Sequence, residues 1–569
     1  MKNLFYVIIA LLLVSKAEAQ TLRHSELLGR PTDNSITVKM FFADTVDVYA
    51  EYGTSTGVYT NQTGTQTFVA DSPVVIVMSG LQADTKYFYR VQCKHTGAAN
   101  FNARPEFSFH TQRSAGSTYT FVVQADPHLD SNSDTALYRL CLQNQLDDAP
   151  DFMIDLGDFL MTDKLKDNTN QVPHDTIPYR CNLFRSYYET GCHSVPLFIA
   201  LGNHEGEAGW NLNGNSNNIA VWDAQERKKY FVNPQPDNFY TGDTTNNAFI
   251  GKRENYYAWS WGDAQFIILD PYWYTNVKPD SLNGWRWTLG KGQYDWLKQT
   301  LETSTAKFKF VFAHQLIGGD PQGRGGVEFA DRYEWGGNNL DGSLGFATNR
   351  QGWYKPIKDL LTENHVNIFF HGHDHLYDQQ LKDCLVYQET PQPSLANFNS
   401  TSAAAYGYVT GQILNNSGHL RVTVSPNGTT VQYVRAYLPA SENANRHNKD
   451  VSATYFIGAT NCYDSLNTGV PVLWNSNYAD ELVYPNPFSQ ETKIEFTVSK
   501  AERLSLSVFN ESGQLVRKLI DESVVPEGKF QIVWDGKDAY GNQAPNGNYI
   551  YRIVGENATD RSGKLVLIK

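Results

Sequence analysis

The stretch Phe369-Phe370-His371-Gly372-His373-Asp374-His375 constrains this chain more than any other. An apolar run, Val366 to Phe370, has the length of a short buried strand, and it ends in three histidines within five residues. Gly372 is expected to let the backbone turn sharply there and aim His373 and His375 at one point. Neutral imidazoles held together suit zinc, iron or manganese. A His-rich surface loop would look the same in isolation. The pattern, however, recurs at four other strand-like runs. Tyr119–Gln124 leads to Asp126-Pro127-His128, and Phe152–Leu156 to Gly157-Asp158. Val195–Leu201 leads to Gly202-Asn203-His204-Glu205, and Phe308–Phe312 to Ala313-His314.

Helical periodicity separates these runs. Asp134–Asp147 places Leu137, Leu140 and Cys141 on one face. Gln293–Glu302 does so with Tyr294, Leu297 and Leu301, and Tyr354–Asn364 with Ile357, Leu360 and Leu361. Interleaved strands and helices predict an α/β domain, sheets covered by helices, with functional groups beyond the carboxyl ends of the strands. Asp126, His128, Asp158, Asn203, His204, His314, His373 and His375 all fall at such ends. They are too many for one four-coordinate ion and suit two cations sharing a carboxylate. The stretch from His204 to Tyr256, rich in Asn, Gly and aromatics, has little periodicity and is expected to be an insertion near the site mouth.

A chain of 569 residues exceeds one core, so several domains are expected. With 41% hydrophobic and 19% charged residues it is globular, and a net charge of −13 argues against a nucleic-acid surface. Residues 1–19 have the form of a signal peptide: Lys2, an apolar run from Leu4 to Val14, then Ala17-Glu18-Ala19. That run is too short for a membrane span, and no later stretch is long enough. The cysteines lack CxxC spacing. Cys181 and Cys192 would close a small disulfide loop or stay as free buried thiols.

Residues 20–114 alternate in short runs between turn residues, as in Ile36-Thr37-Val38-Lys39-Met40 and Tyr87-Phe88-Tyr89-Arg90-Val91, which predicts a β-sandwich. Residues 441–480 are polar and read as a linker or as a tail of the preceding domain. Residues 481–569 return to short strands, such as Leu504–Phe509 and Asn548–Ile553. Two side-chain groups carry open alternatives. Arg324, in Gly323-Arg324-Gly325-Gly326, would clamp an anionic substrate or lie solvated in a surface loop. Tyr272, Trp273 and Tyr274 would wall a groove or pack in a core.

The five blocks in this order resemble the calcineurin-like metallophosphoesterase superfamily, whose blocks read D-x-H, G-D, G-N-H-[DE], H and G-H-x-H. The resemblance covers about residues 117–440 and implies a two-sheet sandwich flanked by helices. It implies one metal on Asp126, His128, Asp158 and His375, and a second on Asp158, Asn203, His314 and His373. Asp158 would bridge two ions of zinc, iron or manganese, which lower the pKa of a shared water and bind phosphate oxygens. Asn203 would contact the phosphate, and His204 would contact it too or protonate the leaving oxygen, the plain alternative being a structural histidine packed beside the site. The implied activity is phosphomonoester hydrolysis by hydroxide held between the metals. A phosphodiesterase or nucleotidase is the enzymatic alternative, and a binding protein that lost the chemistry the other.

The sandwich before the site resembles that of purple acid phosphatases and related alkaline phosphatases, and Leu81–Tyr89 is similar to a corner of fibronectin type III domains. Purple enzymes carry G-D-x-x-Y; here Met161 holds the Tyr position and His128 replaces a Gly, so no ferric-tyrosinate colour is expected. The C-terminal stretch resembles the type A sorting domain of the type IX secretion system of Bacteroidota. The resemblance rests on Tyr484-Pro485-Asn486-Pro487-Phe488, Val508–Gly513 and Gly563–Lys569. Trp534-Asp535-Gly536 through Gly547-Asn548-Tyr549 also looks like an immunoglobulin-like repeat. With the signal segment this implies a secreted or cell-surface protein that passes through the periplasm and meets the type IX machinery.

Overall fold

The computed structural model describes residues 20–280, 283–320, 322–458, 482–498, 500–510, 513–526, 528–539, 541–555 and 560–568. The signal segment, Cys462 and most of the linker between 441 and 480 lie outside these residues. Two compact units result, divided at 459/460.

Two facing sheets build the body of the first unit. The six-stranded sheet runs Leu197–Ile199, Met153–Asp155, Tyr119–Gln124, Gly418–Ser425, Gly428–Arg435, Val451–Gly458. Its first three strands are parallel and the rest antiparallel. The seven-stranded sheet runs Thr241–Gly242, Tyr257–Trp261, Ala264–Ile268, Phe308–Phe312, Ile368–His371, Leu385–Glu389, Asp378–Lys382, with a parallel centre.

The pleat explains this layering. In Phe308–Phe312 the residues Phe308, Phe310 and Phe312 enter the core between the sheets, while Val311 and the following Ala313 face the helices. Phe121, Phe152, Phe266 and Phe370 meet them, with Phe312 and Phe370 stacked at 4.8 Å. Each such ring contributes about 1.5–3 kcal/mol by leaving water. Outside, helices Lys291–Thr303 and Ile357–Glu363 cover one sheet through Leu297, Leu301, Leu360 and Leu361. Helices Thr135–Asp147 and Thr176–Tyr188 cover the other through Tyr138, Leu142, Phe184 and Tyr188.

The predicted helices form with small boundary changes. Asp134 is a cap, not a helical residue: its Oδ1 accepts from Ala136 N and Leu137 N at 2.9 and 3.0 Å. The helix expected from Tyr354 begins only after Pro356. Helix Ile219–Tyr230 lies inside the segment read as an aperiodic insertion. Its buried face includes Asp223 and Arg227, so the apolar stripe that would reveal it is interrupted by charge.

Residues 22–110 form the expected sandwich of two sheets with their own core. Leu27 and Phe41, however, pack into the neighbouring helices, so the sequence boundary near 114 is not a gap in packing. Part of the stretch from 441 to 480 is sheet, because Val451–Gly458 pairs with Gly428–Arg435. Cys181 and Cys192 are free buried thiols, and Cys384 is disulfide-bonded. The second unit pairs a three-stranded with a four-stranded sheet around Ile494, Leu506, Trp534 and Tyr551. Among the described residues no helix is long and apolar enough to cross a membrane.

Candidate metal centre

Five loops at the carboxyl ends of the strands hold one another through their backbones. Asp126 N donates to Gly157 O at 3.0 Å and Gly372 N to His314 O at 2.9 Å. His204 N reaches Asp158 Oδ1 at 2.8 Å, and His373 N reaches Asp126 Oδ2 at 2.8 Å. Asp126, His128, Asp158, His373 and His375 all have left-handed backbones, with φ of 57°, 48°, 57°, 82° and 57°. Non-glycine residues persist in that region where surroundings enforce it, and such strain gathers at functional sites.

Gly372 does not supply the turn expected of it. The positive φ values fall on His373 and His375. Gly372 is required for clearance: a Cβ there would lie 2.6 Å from Ala125 Cβ and 2.7 Å from Asp126 Oδ2. Likewise a Cβ on Gly202 would lie 2.2 Å from Asp158 Oδ1.

The loops gather two clusters, Asp126–His128–His375 and Asp158–His314–His373, each with donor atoms within 4.8 Å of one another. Asp126 Oδ1 lies 3.6 Å from His128 Nε2 and 3.5 Å from His375 Nε2. Asp158 Oδ2 lies 3.2 Å from His314 Nε2 and 3.8 Å from His128 Nε2, within reach of both clusters. His314 Nε2 is 3.2 Å from both Asn203 Oδ1 and His373 Nδ1. Donors bonded to one ion at roughly 2.0–2.2 Å stand about 3–3.5 Å apart, so these spacings fit. Asp126 Oδ1 and His128 Nε2 are buried without a hydrogen-bond partner, a costly arrangement for a protein without a cation there. The residues fit bound metal: two neighbouring donor groups, with Asp158 of one 3.8 Å from His128 of the other.

Electrostatics agree. Burial opposes the Asp126 carboxylate, yet the His314 and His375 imidazoles hold it well below its usual range. Asp158, equally buried, is held down by His314 and His204. Burial, then Arg324 and His314, keep His373 neutral. For His128 and His314 burial is outweighed by neighbouring carboxylates, which push them up to about 10 and about 9. A metal bound at His128 and His314 would therefore displace protons.

His204 sits beside Asp158, its Nε2 3.9 Å from Asp158 Oδ2 and its Nδ1 2.8 Å from Asp163 Oδ1. Nothing in the sequence singles out Asp163, because the 3-10 turn that carries it, Thr162–Lys164, is too short to leave a periodic signal. Glu205 has no predicted role either. Its buried carboxylate accepts from Asp158 N, Phe159 N and Leu160 N at 2.9, 2.8 and 3.0 Å and from Gly202 N at 2.5 Å, which joins two ligand loops. Burial and the neighbouring Asp158 push Glu205 up to about 8.

Arg324 is tethered, with its side chain 24% exposed. Its Nη1 donates to Asp374 Oδ1 at 2.8 Å and His373 O at 3.0 Å, and its guanidinium covers Tyr406 at 4.1 Å. Asp374 also accepts from Gly325 N at 2.7 Å and Tyr408 at 2.9 Å, so the pair fixes the turn between His373 and His375. His371 takes no place among the donors and lies 2.5 Å from Glu389. Tyr272 and Trp273 are core residues: Tyr272 bonds Gln315 at 3.0 Å, and Arg253 covers Trp273 at 3.8 Å. Met161 is buried beyond the Asp158 turn.

Residues 119–377 match the family model of calcineurin-like phosphoesterases, and residues 484–559 that of the FlgD Ig-like domain. No curated protein matches the chain. Among solved structures the chain is similar to PhoD at 15% identity, with 78% of this chain and 93% of that one covered and a TM-score of 0.55. It is also similar to a purple acid phosphatase from yellow lupin (Lupinus luteus) seeds at 15% identity, with coverages of 76% and 74% and a TM-score of 0.50. At that identity the likeness establishes the shared fold. The chain carries a calcineurin-like phosphoesterase domain over residues 119–377, and it is a metal-dependent phosphoester hydrolase.

Proposed function

We propose that this chain hydrolyses phosphomonoesters with two metal ions of zinc, iron or manganese, exported to the cell surface or medium. One observation carries the reading: Asp158, in one donor cluster, comes within 3.8 Å of His128 in the other, with His204 beside it and backed by Asp163. Asp126, His128, Asp158 and His375 would hold one ion, and Asp158, Asn203, His314 and His373 the other. The pair would supply an activated water and neutralise charge on the phosphoryl oxygens. The chain's own residues do the remainder. Asp163 accepts Nδ1–H of His204, while Nε2 lies 3.1 Å from Asn203 Nδ2; with Asn203 turned to the phosphate, Nε2 would hand a proton to the leaving oxygen. Asn203 turns its amide between His314 and His204 and contacts the phosphate. Glu205 and the Arg324–Asp374 pair hold the loops, so Arg324 acts as a positioning residue. The likeness to a purple acid phosphatase supports a phosphatase.

The signal-like segment and the sequence features of the last domain support export and sorting by type IX machinery. The test of activity is hydrolysis of p-nitrophenyl phosphate beside bis-p-nitrophenyl phosphate, on metal-quantified protein. The proposal expects the monoester to be preferred; preference for the diester would replace it with a phosphodiesterase.

A further inference from the structure

Beside the centre is a cavity of about 560 Å³ that the reaction as described does not use. Its walls come from the loops after Met153–Asp155 and Ala264–Ile268, and from the segment after Leu197–Ile199 with the start of helix Ile219–Tyr230. These elements leave the sheets at the same rim as the metal donors, where ligands collect in α/β folds. The volume falls in the range of small-molecule sites, roughly 300–1,000 Å³. The metal donors account for the phosphoryl group, so the cavity is free for whatever the phosphate is attached to.

Asp163 ties the cavity to the chemistry. It lines the wall and also binds His204 Nδ1 at 2.8 Å. A group in the cavity therefore lies one side chain from the imidazole that serves the leaving oxygen. The remaining lining defines that group. Trp210 and Trp222 are half-buried and offer indole surface. Lys166 and Lys278, on different loops, offer ammonium groups, and Lys278 Nζ lies 6.0 Å from the Trp210 ring. Asp163 is the one acidic residue among those lining the cavity, and it is engaged by His204. The exposed Lys166 and Lys278 thus leave this wall, otherwise largely of Asn and Gln amides, with one net positive charge on a chain whose net charge is −13. A bare anion has no use for indole faces, and a small neutral alcohol has none for two ammoniums. A flat ring carrying further negative charge uses both.

We infer, resting on the phosphomonoesterase reading above, that this cavity is the leaving-group site and selects esters of a ring-bearing, anionic alcohol, namely a nucleoside that carries a second phosphate. The test compares methyl phosphate, adenosine 5′-monophosphate and adenosine 3′,5′-bisphosphate on the metal-loaded full chain. Expected kcat/KM rises in that order. Lys166→Ala with Lys278→Ala should lower the bisphosphate value by roughly tenfold or more, the scale of lost charged contacts, towards that of the monophosphate. Trp210→Ala with Trp222→Ala should lower both adenosine esters and leave methyl phosphate unchanged. Equal kcat/KM on all three esters, or variants that shift methyl phosphate as much as the others, would overturn the inference. Calorimetry of adenosine 3′,5′-bisphosphate on the same proteins separates the two readings. If no ester is hydrolysed the phosphatase reading fails, and binding that weakens in the lysine variant still upholds the cavity. Absent binding, or binding indifferent to the lysines, overturns the cavity itself.

Discussion

His204 is held by two carboxylates with separate tasks: Asp158 Oδ1 fixes its backbone, and Asp163 takes its Nδ1. If Nε2 protonates the leaving oxygen, its loss matters most where that oxygen is strongly basic. His204→Ala should retain both metals and lose roughly 10²–10⁴-fold on an alkyl phosphate, the range of general acid help, and clearly less on p-nitrophenyl phosphate. An equal loss on both esters would instead assign His204 to holding the phosphate. Asp378, outside the centre, makes a second residue-scale prediction. Its side-chain oxygens are buried without a hydrogen-bond partner, and burial, then Glu328, push its carboxyl up to about 8. The folded state keeps a proton there that the unfolded chain sheds near pH 4. The contribution to stability is therefore full below that value and lost as pH rises to about 8, by at most about 1.4 kcal/mol per pH unit. Asp378→Asn should flatten this slope and raise the thermal midpoint at pH 8 relative to wild type. A midpoint at pH 8 that falls would refute the account.

At the scale of elements, the strand-to-turn junctions are the working parts, and they were the most legible. Apolar runs such as Phe308–Phe312 and Ile368–His371 declare themselves by pattern, and the donors follow each run within a few residues. What sequence could not show is how one junction leans on another. Asp163 reaches His204 across 41 residues, and Arg324 reaches Asp374 across 50. Helix Ile219–Tyr230 hides because Asp223 and Arg227 occupy its inner face. Gly372 was legible as a necessary glycine, but for the wrong reason, since close approach to Asp126 requires it and not its own φ. Gly372→Ala should therefore push Asp126 from His373, lowering metal content and costing roughly 1–3 kcal/mol, the range of overpacking. Metal analysis and thermal melting check this; a variant with full metal content and an unchanged midpoint would contradict it.

Across the whole molecule, every donor lies before residue 376, and among the described residues the C-terminal unit supplies none. That unit was legible as short alternating strands, and the FlgD Ig-like match agrees with its two sheets. Removing residues 482–569 should leave metal content and phosphatase activity intact while the protein is retained in the periplasm, checked by assay of periplasm and medium. Loss of metal binding in the shortened chain would refute this division. The central claim is the pairing of two ions across Asp158, whose Oδ2 lies 3.2 Å from His314 Nε2 and 3.8 Å from His128 Nε2. Metal content per chain, measured by mass spectrometry on wild type and Asp158→Asn, tests it most directly. The account predicts close to two ions in wild type, and a marked loss of metal in Asp158→Asn together with activity. Two ions retained at full affinity by Asp158→Asn would contradict it.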